Sequence, residues 1–93
     1  LQGLLEVADV PYVGCGVLSS SVGMDKDVAK RLARDSGIPI VPFISVKPAH
    51  LKDGLPALLK ETREKLGFPV FVKPSNSGSS VGVHKVKKEE DLL

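Results

Sequence analysis

At 93 residues, 42% of them hydrophobic and with a formal net charge of +2, the chain is long enough for one small domain and too apolar for a disordered tail. Its basic residues are spread out, which argues against the concentrated basic face of a nucleic-acid binder; Lys85, Lys87 and Lys88 form the densest cluster and read as a solvated strand end. No apolar run reaches the roughly 20 residues of a membrane-crossing helix, no basic segment followed by an apolar core marks a secretory leader, and the single Cys15 cannot close an internal disulfide, which fits a reducing compartment.

Residues 1–8 place Leu1, Leu4, Leu5 and Ala8 at i, i+3, i+4 and i+7, one face of a helix. Residues 10–13 read as a short strand entered through Pro11, Gly14-Cys15-Gly16 as a turn, and residues 17–22 as a short helix. Asp25 is the expected N-cap of a helix running to about Ser36, with Val28, Ala29, Leu32 and Ala33 buried and Lys30, Arg31 and Arg34 in water. Gly37-Ile38-Pro39 ends it, because glycine accepts the left-handed position after a helix and proline cannot continue one.

The β-branched run 40–46 predicts a strand and residues 48–53 a loop. A helix is predicted over 54–66, capped by Asp53, with Pro56 in its first turn and Leu55, Leu58, Leu59, Thr62 and Leu66 on one face. Gly67-Phe68-Pro69 repeats the earlier ending. Residues 70–73 form an apolar strand whose valines and Phe71 belong to a core, closed by Pro74; residues 75–80 are a polar loop; residues 81–86 return as a strand, giving a hairpin. The fold class is α/β in the broad sense (α+β), with at least one antiparallel pair. The first residues lack a methionine or cap, and Glu89, Glu90 and Asp91 open a helical turn with no body behind it. Both ends therefore read as cut from a longer chain.

Chemistry concentrates in Phe71-Val72-Lys73-Pro74-Ser75-Asn76-Ser77-Gly78-Ser79-Ser80-Val81-Gly82. A lysine at the end of an apolar strand is worthwhile where a permanent anion sits opposite, since burying an unpaired ammonium is expensive. The loop behind it offers close-approaching backbone N–H groups and the hydroxyls of Ser77, Ser79 and Ser80, the parts of a phosphate clamp. The plainer alternative is a serine-rich hairpin with a snorkelling lysine. It is not a Walker A loop, because Gly82 is followed by Val83. Gly14-Cys15-Gly16 is only a turn, since Ser19 stands where a dinucleotide fingerprint needs its third glycine. Lys26, one residue past the cap, is by itself an ordinary solvated residue; Cys15 reads as inert; His50 and His84 have no companions at metal-ligand spacing.

The strings Leu1-Gln2-Gly3-Leu4-Leu5-Glu6, Pro11-Tyr12-Val13-Gly14, Gly16-Val17-Leu18-Ser19-Ser20-Ser21 and Met24-Asp25-Lys26, followed by the block from Phe71 to Gly82, resemble the D-alanine–D-alanine ligases in one colinear run over essentially the whole chain. The second block alone would indicate only an ATP-grasp enzyme. The resemblance implies that residues 1–22 end an N-terminal α/β domain and that residues 23–93 begin an ATP-grasp domain. It implies that Lys26 and Lys73 contact ATP, that Gly78, Ser79 and Ser80 cover its phosphates, and that Ser79 also joins a hydrogen-bond network at the substrate, a catalytic role. Magnesium ligands, the arginine for the intermediate, an omega-loop tyrosine and a substrate-binding glutamate are expected outside these residues. The implied activity joins two D-alanines through an acyl phosphate for peptidoglycan synthesis, in a cytoplasmic homodimer without nucleic-acid or membrane partners, and the 93 residues alone are expected to be inactive. Another ATP-grasp carboxylate–amine ligase, or a non-catalytic nucleotide-binding module, is the alternative; the block from Gln2 to Lys26 argues against the first of these.

Overall fold

The structure, a computed structural model, describes residues 1–92, with side chains other than those of His50, Lys52 and Asp53. It divides into two units, Leu1–Pro39 and Ile40–Leu93.

The first unit is three helices: α1 (Gln2–Val7), α2 (Val17–Met24) and α3 (Lys26–Asp35), with α1 packed on α2 and α2 on α3. The start of α3 is capped as its sequence demands. The Asp25 carboxylate accepts from the N–H groups of Asp27 at 3.0 Å and Val28 at 3.1 Å, which satisfies two donors that the helix itself cannot. Asp27 in the first turn pairs with Arg31 at 2.8 Å one turn on, and Arg34 lies in the last turn, so both charges complement the helix dipole. At the far end Gly37 sits at φ +76°, its N–H donates to Arg34 O at 3.0 Å, and Ile38 N–H reaches back to Ala33 O at 2.9 Å. This is the Schellman ending that the glycine predicts.

The expected strand at residues 10–13 is absent. Val10 N–H closes back onto Leu5 O at 2.9 Å, Asp9 turns the chain at φ +53°, and Pro11 has no donor, so the segment finishes α1 instead of joining a ladder. Tyr12 is held to the same helix by donating to Glu6 Oε1 at 2.7 Å. That hydrogen bond, followed by slight desolvation and the carboxylate's charge, keeps the phenol above its usual pKa. The apolar face of α3 has the expected spacing, but Val28 and Leu32 are exposed and Ala29 and Ala33 only half-buried, while Lys30, expected in water, is half-buried.

In the second unit residues 40–46 form no strand either. Pro42 breaks the row of donors, and no ladder partner for this run occurs among the described residues. Residues expected as a loop form a 3₁₀ turn, Pro48–Asp53, against which α4 (Leu55–Lys65) packs. The cap position of α4 is Gly54 at φ +91°, not Asp53, whose side chain lies outside the described set. Pro56 falls in the first turn as expected. On the inner face Leu55, Leu58, Leu59 and Leu66 are half-buried around Thr62, which is 5% exposed and donates its hydroxyl to Leu58 O at 2.8 Å. Gly67, at φ +70°, ends the helix by donating to Thr62 O at 3.0 Å.

β1 (Val70–Val72) and β2 (His84–Val86) pair antiparallel, with Val70 opposite Val86, Phe71 opposite Lys85 and Val72 opposite His84. The hairpin is real but its strands are shorter than predicted, and the core is elsewhere than expected. Val86, 4% exposed, is the buried apolar residue among those described, whereas Phe71 is 58% exposed and Val72 is also exposed. A two-stranded sheet has two faces, and the side of Phe71 is not covered by the described residues. After β2 the chain makes a 3₁₀ turn, Glu89–Leu92, that packs on β2, and Glu89 accepts from Arg63 of α4, Nε at 3.1 Å. That carboxylate raises the pKa of the Arg63 guanidinium.

Candidate functional site: a hairpin with an open loop

Lys73 follows directly on β1, two residues past Phe71 and therefore on the same side of the strand. It is exposed, which corrects the expectation of a lysine buried at a strand end. Its ammonium lies 5.8 Å from the centroid of the Phe71 ring, and that of Lys85, across the ladder, lies 5.9 Å from the same centroid. Contacts of this kind at an exposed site are worth about 0.5–1 kcal/mol each. They need no buried anion to hold the lysines in place. Lys85 was hidden in the sequence behind its cluster with Lys87 and Lys88. The hairpin register, with the period-two alternation of 71, 73 and 85, is the signal that finds it.

The loop between the strands contains two successive turns. Val81 N–H donates to Gly78 O at 3.1 Å, enclosing Ser79 at φ +51° and Ser80 at φ +59°. Two central residues at positive φ are the type I′ pattern, which favours glycine or asparagine and which serine adopts at some cost. Val83 N–H then donates to Ser80 O at 3.2 Å, with Gly82 at φ +72° inside the turn. Gly82 is doubly required: a Cβ there would stand 2.9 Å from Pro74 Cγ. Gly78 is the opposite case, with no positive φ and nothing within 4 Å of a Cβ built on it. Among the described residues, the N–H groups of Gly78, Ser79 and Ser80 and the hydroxyls of Ser79 and Ser80 donate to nothing within the chain. All three residues are exposed. Adjacent unused donors on a turn, following an exposed ammonium, are what an oxyanion needs.

Lys73, Gly78, Ser79 and Ser80 thus share one hairpin of the second unit. Lys26 belongs to the first unit, as the opening residue of α3, half-buried and engaged by other groups of the protein. A cation there opposes the helix dipole, and Asp25 and Asp27 on either side offset it. The open groove of the first unit, about 410 Å³ and lined by Leu5, Glu6, Asp9 and Tyr12 among others, contains none of these residues.

Magnesium takes a set of converging oxygen ligands. Among the described residues no three His, Cys, Asp or Glu side chains converge. Asp25 caps α3, and Asp27, Glu61, Glu64 and Glu89 each face a cation. These residues do not make a magnesium site.

Residues 32–93 match the family described as "D-ala D-ala ligase C-terminus". The chain belongs to the D-alanine–D-alanine ligase family. It is similar to D-alanine–D-alanine ligase A of Chromobacterium violaceum, 56% identical over 92 residues, which is 99% of this chain and 24% of that protein. The corresponding enzyme of Escherichia coli K12 is 53% identical over 90 residues, 97% of this chain and 24% of the relative. The solved D-alanine–D-alanine ligase from Coxiella burnetii matches with a TM-score of 0.84 at 38% identity, covering 98% of this chain and 26% of that one. The chain therefore spans about a quarter of the length of these ligases. The resemblance read from the two sequence blocks is family membership.

Proposed function

We propose that these residues form part of an ATP-dependent ligase that joins two D-alanines, and that the hairpin carrying Lys73 is the part of it that holds the nucleotide phosphates. The observation that carries this reading is the loop at residues 78–80, whose free donors stand on a hairpin that also presents the Lys73 ammonium, in a chain of this family. In the reaction, a carboxylate oxygen of the first D-alanine attacks the γ-phosphorus of ATP. The bond to the ADP oxygen breaks, leaving an acyl phosphate. The amine of the second D-alanine attacks the acyl carbon, inorganic phosphate departs, and the amine loses its proton. Phosphoryl transfer of this kind depends on positioning and on neutralising negative charge. Lys73 supplies a point charge, the N–H groups of Gly78, Ser79 and Ser80 supply adjacent donors, and the Ser79 hydroxyl is assigned to the substrate side.

Lys26 is the second ATP-contacting lysine in this reading. Residues 1–22 close an N-terminal domain, and residues 23–93 open the ATP-grasp domain. Magnesium, which neutralises phosphate charge when bound, would be held by residues outside those described. The dipeptide serves peptidoglycan synthesis in the cytoplasm, and the enzyme works as a homodimer.

The experiment is Lys73→Ala in the full-length protein that carries this segment, with nucleotide affinity read by calorimetry and dipeptide formation by product analysis. A charge-assisted contact is worth roughly 1.5–3 kcal/mol; Lys73 is exposed and solvent screening holds it to the lower end of that range, so ATP affinity should fall about 10-fold. Unchanged affinity would make Lys73 a solvated strand-end residue. The 93-residue chain on its own should release no phosphate from ATP in response to D-alanine, and release that depends on D-alanine would contradict the division of the site.

A further inference from the structure

We infer that Lys85 is a second cation of the nucleotide site, placed by the ladder to hold the polyphosphate together with Lys73. The inference rests on the nucleotide role proposed for this hairpin. Lys85 sits directly opposite Phe71, and Lys73 follows two residues after Phe71 on the same side, so pairing and pleat bring three side chains together on one face. Both ammonium groups lie within 6 Å of a single ring centroid, at 5.8 and 5.9 Å.

What sets these two lysines apart is the ring they share; Arg34, Lys87 and Lys88 also face no carboxylate among the described residues, but they stand at no ring there either. Arg31, Lys60, Arg63 and Lys65 each face a carboxylate. Among the described residues Lys73 and Lys85 face no carboxylate, only the ring. Two like charges drawn to one exposed aromatic ring share one weak attraction, and neither faces a carboxylate among the described residues. A ligand with several negative charges engages both at once. A neutral or singly charged ligand would engage one lysine and leave the other as it was. The chemistry selected is therefore a polyanion, here the phosphate chain of a nucleoside triphosphate.

Position also separates Lys85 from its sequence neighbours. Lys85 is inside β2, so its backbone is fixed by the ladder, whereas Lys87 and Lys88 lie beyond the last paired residue, Val86. A fixed stem loses less freedom on binding than a lysine in an irregular segment.

The test uses the full-length protein and four forms: the parent, Lys85→Ala, Lys85→Arg and Lys88→Ala. Affinities for ATP and for adenosine are measured by calorimetry, with dipeptide formation followed in parallel. Lys85 is exposed, so solvent screening reduces its contribution, and ATP affinity should fall about 3- to 10-fold in Lys85→Ala. Adenosine affinity should stay unchanged in Lys85→Ala, ATP affinity should be retained in Lys85→Arg, and Lys88→Ala should match the parent for both ligands. Unchanged ATP affinity in Lys85→Ala would overturn the inference. So would an equal loss for adenosine and ATP, which would mean that Lys85 only props the ring, and so would an equal loss in Lys88→Ala, which would mean that overall charge is what matters. A parent protein that binds ATP and forms dipeptide while Lys85→Ala behaves identically rejects Lys85 alone. A parent that binds no ATP rejects the nucleotide reading of the hairpin as well.

Discussion

Gly78 and Gly82 belong to the same loop, four residues apart, and the fold itself requires only the second of them to be glycine. Gly82, at the base, is demanded by the protein itself: its φ is +72° and a side chain would press on the ring of Pro74. Gly78, at the crown, is demanded by nothing within the chain, since its backbone is ordinary and the space around it is open. Where a small residue answers no internal need, its smallness is available to something outside. The crown is where the unused donors of Gly78, Ser79 and Ser80 lie, and the base is the hinge that keeps them in place.

The largest effect expected from this contrast is at the base. Gly82→Ala forces a side chain into the left-handed region against Pro74 and should destabilise the full-length protein by about 1–3 kcal/mol. Thermal unfolding would show it, and an unchanged midpoint would mean that the turn relaxes freely. A smaller effect is expected at a second pair of neighbours with the same division of labour. Asp25 serves the helix, while Lys26 next to it is assigned to ATP. Asp25→Ala should cost about 1 kcal/mol of stability through the lost cap. Lys26→Ala should appear in ATP affinity, and a Lys26→Ala protein that binds ATP normally would remove Lys26 from the site. The smallest effect on stability is expected at the crown: Gly78→Ala should stay within about 0.5 kcal/mol of the parent. It should nonetheless weaken ATP binding by obstructing close approach. A Gly78→Ala protein as destabilised as Gly82→Ala would erase the distinction between crown and base.

The same contrast explains which features could be read from the residues. Helix boundaries were legible because they are local. Asp25 reaches donors two and three residues away, and Gly37 and Gly67 turn the chain within their own neighbourhood. The hairpin was legible from two apolar runs around a polar loop. Residues 10–13 and 40–46 were misread because a strand exists only beside a partner, and composition does not name one. In the first case a backbone hydrogen bond to Leu5 already held Val10. The spacing of the apolar faces was right, but periodicity says which residues share a face and not what covers it. Val28, Leu32, Phe71 and Val72 are exposed in a chain that spans about a quarter of its relatives' length. Within the candidate site, Lys73 and the loop were found through residue type. Lys85 and Gly82 were missed because their significance comes from register and from a contact with Pro74, neither of which is a property of nearby sequence.

Amide hydrogen exchange on the full-length protein, with and without ATP and magnesium, compares the loop and its strands in one experiment. Among the described residues, backbone turn hydrogen bonds within 75–80 reach only the carbonyls of Gly78 and Ser80, and all of this loop but the half-buried Ser77 is exposed, whereas residues 70–72 are tied by the ladder to β2. Segments with few apolar contacts open at low free-energy cost. The loop should therefore exchange rapidly without nucleotide and become protected when nucleotide binds, as a cover that excludes water from a hydrolysable acyl phosphate would. Residues 70–72 should be protected in both states. Equal protection of residues 75–80 with and without nucleotide would contradict the assignment of Gly78, Ser79 and Ser80 as the phosphate cover.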